Sequence, residues 1–194
     1  MLLGDSAFDN SIYLDGGPDV VKQLQLTLPV TWMATLLARD GSVASDLPDQ
    51  VARLPADASH LVVSIGGNDA LRHLMVLGEA VGSMADALKR LAGIRDSFAA
   101  DYRDALAPIV DLGLPTWLCT IYEPRFPDAS LQNAAVVALS VFNDVITRAA
   151  SVSAFGLLDL RVLFDRDEDY ANPIEPSVAG GGKIAREIVR LMVR

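Results

Sequence analysis

The sequence predicts a doubly wound α/β fold, a parallel sheet with helices on both faces. Three observations carry this. Short runs of consecutive apolar and β-branched residues alternate with segments of helical period. The runs lead into turn or loop residues, as strands feeding crossover helices do. The 194 residues contain no internal repeat, low-complexity stretch or linker, so residues 1–194 read as a single domain with its own core.

The elements follow in chain order. Met1-Leu2-Leu3 is a short first strand that runs into Gly4-Asp5-Ser6. Thr31–Ala38 is the ambiguous stretch in which a second strand would fall. His60–Ile65 (HLVVSI) is continuously apolar, as a strand covered on both faces must be, and ends in Gly66-Gly67-Asn68-Asp69 with Asp69 as the expected helix N-cap. Met84–Leu91 and Phe98–Val110 read as two helices. Pro115–Tyr122 and Phe155–Leu160 read as further strands around a long helix at Leu131–Ala149. The last helix is Ala179–Met192, with Ile184, Ile188 and Leu191 on its inner face.

Composition narrows the classes of function. Hydrophobic residues make up 51% and charged residues 21%, which is globular composition. The net charge of −9 argues against nucleic acid and anionic membrane surfaces as partners. No apolar run approaches the ~18 residues of a membrane span, and no basic n-region precedes Gly4, so the expectation is a cytoplasmic protein without a span. Cys119 is the one cysteine, which leaves no internal disulfide.

Ligands of doubly wound sheets sit at the C-terminal ends of the strands. Three positions gather there: Ser6 after the first strand, Gly41 in "DGSVASDL" after the expected second, and Asn68 in "GGND" after the third. Acyl transfer needs a hydroxyl nucleophile and donors aimed at a developing oxyanion. Ser6 supplies the hydroxyl. Its own N–H, the N–H of Gly41 and the amide of Asn68 supply donors. Taken singly, "GDS" and "GGND" are also ordinary turn chemistry; their joint placement in this order favours the site.

With these blocks the chain resembles the SGNH (GDSL-type) hydrolases: "GDSAFDN" as the nucleophile block, the glycine of "DGSVASDL" as the second, and "GGND" as the third. The resemblance covers essentially the whole chain. It implies a flavodoxin-like three-layer α/β/α sandwich of about five parallel strands and hydrolysis of carboxylic esters, here expected to be short acyl or acetyl esters, without metal or cofactor. The family's last block, Asp-x-x-His-Pro, is altered. "NPIEPS" puts Asn172 at the aspartate and Glu175 at the histidine.

The base is therefore open between two residues. Glu175 is a weaker base than imidazole, with a reference pKa of ~4.3 against ~6.5, but burial raises a carboxyl toward the useful range. Asn172 would complement it, because an NH₂ donor suits a carboxylate where a second carboxylate would repel it. His73, one turn beyond Asn68, lies at the same end of the sheet. His60 begins its strand and lies at the opposite edge, roughly 15 Å away at ~3.3 Å per residue. The alternative to an esterase is a protein of the same fold that lacks an efficient base and only binds an anion or carbonyl group. Asp5 is expected to support the Ser6 turn, Asn10 to tie that turn to a neighbouring loop, and Tyr122–Phe126 to line a cleft. "SVAGGGKIA" fails as a phosphate loop, and its glycines are expected to shape a turn. "DRDEDY" (Asp165–Tyr170) reads as a solvated acidic loop.

Overall fold

The computed structural model describes residues 1–192. It forms a four-stranded parallel sheet of β1 (Leu2–Gly4), β2 (Leu61–Ser64), β3 (Thr116–Cys119) and β4 (Gly156–Leu158), in that spatial order. Leu2 pairs with Val62, Val62 with Trp117, and Trp117 with Gly156. The helices are α1 (Val20–Thr27), α2 (Leu47–Val51), α3 (Gly67–Leu71), α4 (Met84–Leu112), α5 (Ala129–Val152), α6 (Leu160–Leu163) and α7 (Val178–Met192).

Successive strand residues face opposite sides of the sheet, which places two cores. Leu3, Val63 and Leu118 pack with Phe98 and Tyr102 of α4 and Phe142 and Ile146 of α5. Leu2, Val62 and Leu158 pack on the other face with Val20 and Leu24 of α1 and Ile184 and Ile188 of α7. Burial on both faces explains why the strands read as unbroken apolar runs rather than alternating ones.

The expected second strand is reduced to one parallel bridge, Leu2 with Leu36. The chain from Thr35 to Arg39 still runs beside β1: Leu2 N donates to Thr35 O, and Leu37, Ala38 and Arg39 N–H groups donate to Leu2 and Gly4 carbonyls. With this segment counted at the edge, the order is the flavodoxin-like 2-1-3-4-5, and the strand order reverses at β1.

Two expected helices merge. Met84–Leu112 is one helix of 29 residues. Gly93, between the two expected helices, faces open space. A solvent-side glycine costs about 1 kcal/mol. The apolar face continues past it through Ile94, Phe98 and Tyr102. The glycines of "SVAGGGKIA" lie inside α7 and not in a turn: a Cβ on Gly180 would come 2.3 Å from the Asp169 carbonyl, and one on Gly181 would come 3.2 Å from Val20. They let α7 approach its neighbours closely. By length and composition α5 passes as a membrane-crossing helix, contrary to the expectation of none. Here it buries Ala135, Leu139, Phe142 and Ile146 against the domain.

Gly4 shows why the first strand ends where it does. Its φ is +126°, and a Cβ there would lie 1.7 Å from the Ser64 carbonyl oxygen of β2. Gly4→Ala should therefore lower stability by about 3 kcal/mol or more. Urea unfolding checks this: a loss under ~1 kcal/mol would mean that β1 can shift away from β2 without cost.

Candidate active site

The turn after β1 is held from three sides. The Gly4 N–H donates to Gln50 Oε1 at 2.7 Å, and Gln50 Nε2 donates back to the Gly4 carbonyl at 2.8 Å. The Asp5 N–H donates to the Ser64 carbonyl at 2.9 Å, and Asp5 Oδ1 accepts the Ala7 N–H at 3.1 Å, the support expected of Asp5. Ser6 sits at the apex, 8% exposed. Its N–H has no partner among the described residues, and its Oγ donates to Glu175 Oε1 at 3.1 Å.

Glu175 arrives on the loop before α7 and is 5% exposed. Five hydrogen bonds from four residues fix the loop. Asn172 Oδ1 accepts the backbone N–H groups of Ile174 and Glu175, both at 3.0 Å. The Glu175 carbonyl accepts the Ala171 N–H at 2.9 Å. The Tyr122 hydroxyl donates to the Ile174 carbonyl at 2.7 Å. Asn10, fully buried, donates to the Pro176 carbonyl at 3.1 Å and accepts the Val20 N–H at 3.2 Å. Asn10 thus ties the serine turn to the glutamate loop. Asn172 differs from expectation. Its oxygen braces the Glu175 backbone, and its NH₂ makes no bond to the carboxylate, whose Oε2 is buried without a partner. The physical reason is the two-residue spacing, at which an Asx side chain closes onto following backbone N–H groups.

On the neighbouring strand end, Asn68 belongs to α3, which starts after Gly66 at φ +120°. Asn68 Nδ2 donates to the Ser42 carbonyl at 2.9 Å and keeps a second N–H. Asp69 is not the N-cap expected of it. It lies inside the first turn and accepts the Ala44 N–H with both oxygens, at 3.0 and 3.3 Å. These two residues hold the loop bearing Gly41. Gly41 itself is exposed at φ +77°, with its N–H unpaired among the described residues.

Ser6, Asn68 and Glu175 line one cavity of about 570 Å³; Gly41 and Asn172 do not line it. His73 lines the same cavity. It lies beyond the end of α3 rather than within a helix, with its ring 6.5 Å from Phe142 and no hydrogen bond to Ser6. His60 packs between Trp32 and Trp117 at the other end of the sheet. Tyr122, Pro124 and Phe126 line the cavity. In the acidic run, Asp169 is buried and pairs with Lys183 at 2.6 Å, while Asp165 pairs with the same lysine.

Burial dominates the electrostatics. It raises Glu175 from 4.5 to about 7, against the stabilising hydrogen bond from Ser6 and with help from the Asp40 charge. It raises Asp5 to about 7 as well, opposed by the Ala7 N–H and reinforced by the charges of Glu175 and Asp69. Asn10 makes the tie expected of it, whereas Gln50 and the Tyr122 hydroxyl escaped sequence reading as parts of the site's support, because each reaches across the fold to a backbone group and carries no local motif.

No protein-family model matches the chain, and no curated protein matches it. Solved structures do. The chain superposes on a member of the lipolytic protein G-D-S-L family from Veillonella parvula DSM 2008 with a TM-score of 0.70 and 14% identity, covering 100% of this chain and 97% of that one. The chain has the GDSL hydrolase fold. Phospholipase A1 from Streptomyces albidoflavus NA297 shares this fold at a TM-score of 0.68 and 15% identity over 97% of both chains. Axe2, an acetylxylan esterase from Geobacillus stearothermophilus, shares it at 0.66 and 18% identity, covering 100% of this chain and 93% of that one.

The raised carboxyl has a consequence for stability. Glu175 binds its proton more tightly folded than unfolded. Its contribution is fully present below pH 4.5 and is lost as the pH rises through about 7. Glu175→Gln should therefore be more stable than the parent at pH 8, on the order of 1–2 kcal/mol after discounting for solvent screening. The gain should vanish below pH 4.5. Melting curves at the two pH values check this; an equal gain at both would show that the charge of Glu175 carries no folding penalty.

Proposed function

We propose that this protein is a serine-dependent hydrolase of carboxylic esters in which Glu175 does the work usually given to histidine. The observation that carries the reading is the buried hydrogen bond from Ser6 Oγ to Glu175 Oε1 at 3.1 Å, beside a cavity. A general base must lie within about 2.6–3.2 Å of the proton it takes.

In the first step Ser6 Oγ attacks the ester carbonyl carbon and its proton passes to Glu175. The carbonyl π pair moves onto oxygen, and the oxyanion is stabilised by the Ser6 N–H, the free N–H of Asn68 and the Gly41 N–H. Collapse expels the alcohol oxygen, which takes the proton from Glu175 and leaves an acyl-serine. Water then attacks the acyl group, giving its proton to Glu175, and Ser6 recovers a proton as the acid departs. A carboxyl near pH 7 suits both halves of the cycle, because it takes and returns the proton at comparable cost. Asn172 acts as a positioning residue through the Glu175 backbone.

Hydrolysis of p-nitrophenyl esters tests the proposal. Activity should rise with pH through an apparent pKa near 7, set jointly by Glu175 and its neighbour Asp5. Ser6→Ala should abolish turnover. Glu175→Gln should cost roughly 10²–10⁴ in rate. If Glu175→Gln is fully active while His73→Ala is inactive, the base is His73. Absence of any Ser6-dependent turnover would leave a binding protein on this fold.

Asn172 gives a separate test. Asn172→Ala removes the acceptor for two N–H groups and should lower kcat by about tenfold, on the scale of a lost cap. Asn172→Asp keeps that acceptor but adds a charge beside Glu175, so it should retain kcat at high pH while moving the pH profile upward. An unmoved profile would place the two side chains too far apart to interact.

A further inference from the structure

The cavity that begins at Ser6 and Glu175 continues well past them. Its walls are one face of α4, through Leu88, Leu91 and Ile94, and one face of α5, through Ala134, Ala138 and Phe142. On α4 the lining positions recur at helical spacing from Met84 to Ile94. That wall runs about 15 Å at 1.5 Å per residue. The ionisable groups lining the cavity fall into two sets. Asp5 and Glu175 stand at the serine end with His73 nearby, and Glu79 and Arg90 pair with each other between exposed side chains. Several apolar side chains of these walls face solvent: Met84 is 75% and Leu88 59% exposed.

We infer that the groove between α4 and α5 takes the acyl chain of the substrate, so that esters of medium-length fatty acids are cleaved in preference to acetates. This rests on the role of Ser6 and Glu175 proposed above. An acetyl group is too small for the space: at a water-like ~30 Å³ per carbon it fills about a tenth of the 570 Å³. An extended chain advances roughly 1.3 Å per carbon–carbon bond, so the α4 wall matches a chain of about twelve carbons. The walls offer few polar partners. A sugar or glycerol alcohol would leave its hydroxyls unpaired there, whereas a fatty acyl chain has none to satisfy. Continuity with the serine places the carbonyl of such a chain at the nucleophile. Small residues at Ala134 and Ala138 keep the groove open.

The experiment compares kcat/KM for p-nitrophenyl acetate, butyrate, octanoate and decanoate. The value should rise about two- to fourfold per added methylene through the series to decanoate, given ~0.8 kcal/mol per buried methylene. Leu88→Gln and Ala134→Phe both alter exposed positions that tolerate substitution. Each should lower the octanoate-to-acetate ratio about tenfold. A Ser6-dependent activity that is flat or falls with chain length overturns the groove assignment. A chain-length series in the alcohol of acetate esters that rises instead also overturns it, by placing the alcohol in the groove. Hydrolysis unaffected by Ser6→Ala means that the serine reading fails, a different result. Calorimetric binding of decanoic acid to the Ser6→Ala protein decides the groove without turnover. Binding that weakens in the added Leu88→Gln change supports it, and no binding overturns it.

Discussion

Glu175 is a carboxyl with 5% exposure, one oxygen bonded to Ser6 Oγ and the other buried without a partner. An ionised group so placed is expensive, because protein dipoles replace only part of the lost hydration. The cost has two outlets. The group holds its proton up to about pH 7, and the surrounding loop is fixed by several hydrogen bonds to its backbone. Asn172, Ala171, Tyr122 and Asn10 each bond that loop, and three of the four residues do so through side chains. The serine turn is fixed independently by Gln50 and by the Ser64 carbonyl. The Ser6–Glu175 contact, across 169 residues of sequence, is the product of two separately rigid supports.

The sheet determines where those supports can meet. β1 and β2 lie side by side, and the strand order reverses at β1, so the ends of these strands open onto one crevice. Ser6 follows β1 and Asn68 follows β2. The same α4 and α5 that cover one face of the sheet extend past its edge. There Phe142 belongs to the core and also lines the cavity. One pair of helices thus supplies folding stability and an apolar groove, and the exposed apolar side chains at its mouth are surface that folding alone would not favour.

The contacts of Asn172 and Glu175 differ from those an aspartate–histidine pair makes. A histidine must have its ring oriented by an acceptor on its second nitrogen. A carboxylate has no second nitrogen, so the residue three positions earlier is free to act on the backbone. The Asn172 oxygen does this by accepting the Glu175 N–H. A neutral amide performs that task without adding charge next to a carboxyl that burial already disfavours as an anion.

The sequence by itself determined the fold class, most of the strands, and the placement of Ser6 and Asn68 at one end of the sheet, which follow from local period and from the rule that loops after parallel strands open onto one crevice. Glu175 came from the resemblance of its block to the family's last one. The sequence misjudged elements whose state depends on neighbours. Thr35–Arg39 lacks strand geometry beyond a single bridge because the N–H groups of Leu37 and Ala38 both donate to the Leu2 carbonyl, which breaks the regular ladder. Residues 92–97 stay helical because the apolar face continues through Ile94 onto the buried Phe98 and Tyr102. α1 went unread although Asp19 caps it, since eight residues with two buried side chains leave a faint period. Tertiary structure alone decided that Asn172 uses its oxygen and that Asp69 holds the Gly41 loop. It also decided that Gln50 grips both polar groups of Gly4, and that α4 and α5 leave a groove between them. Each of these depends on distance between groups remote in the chain, and local pattern carries no information about such distances.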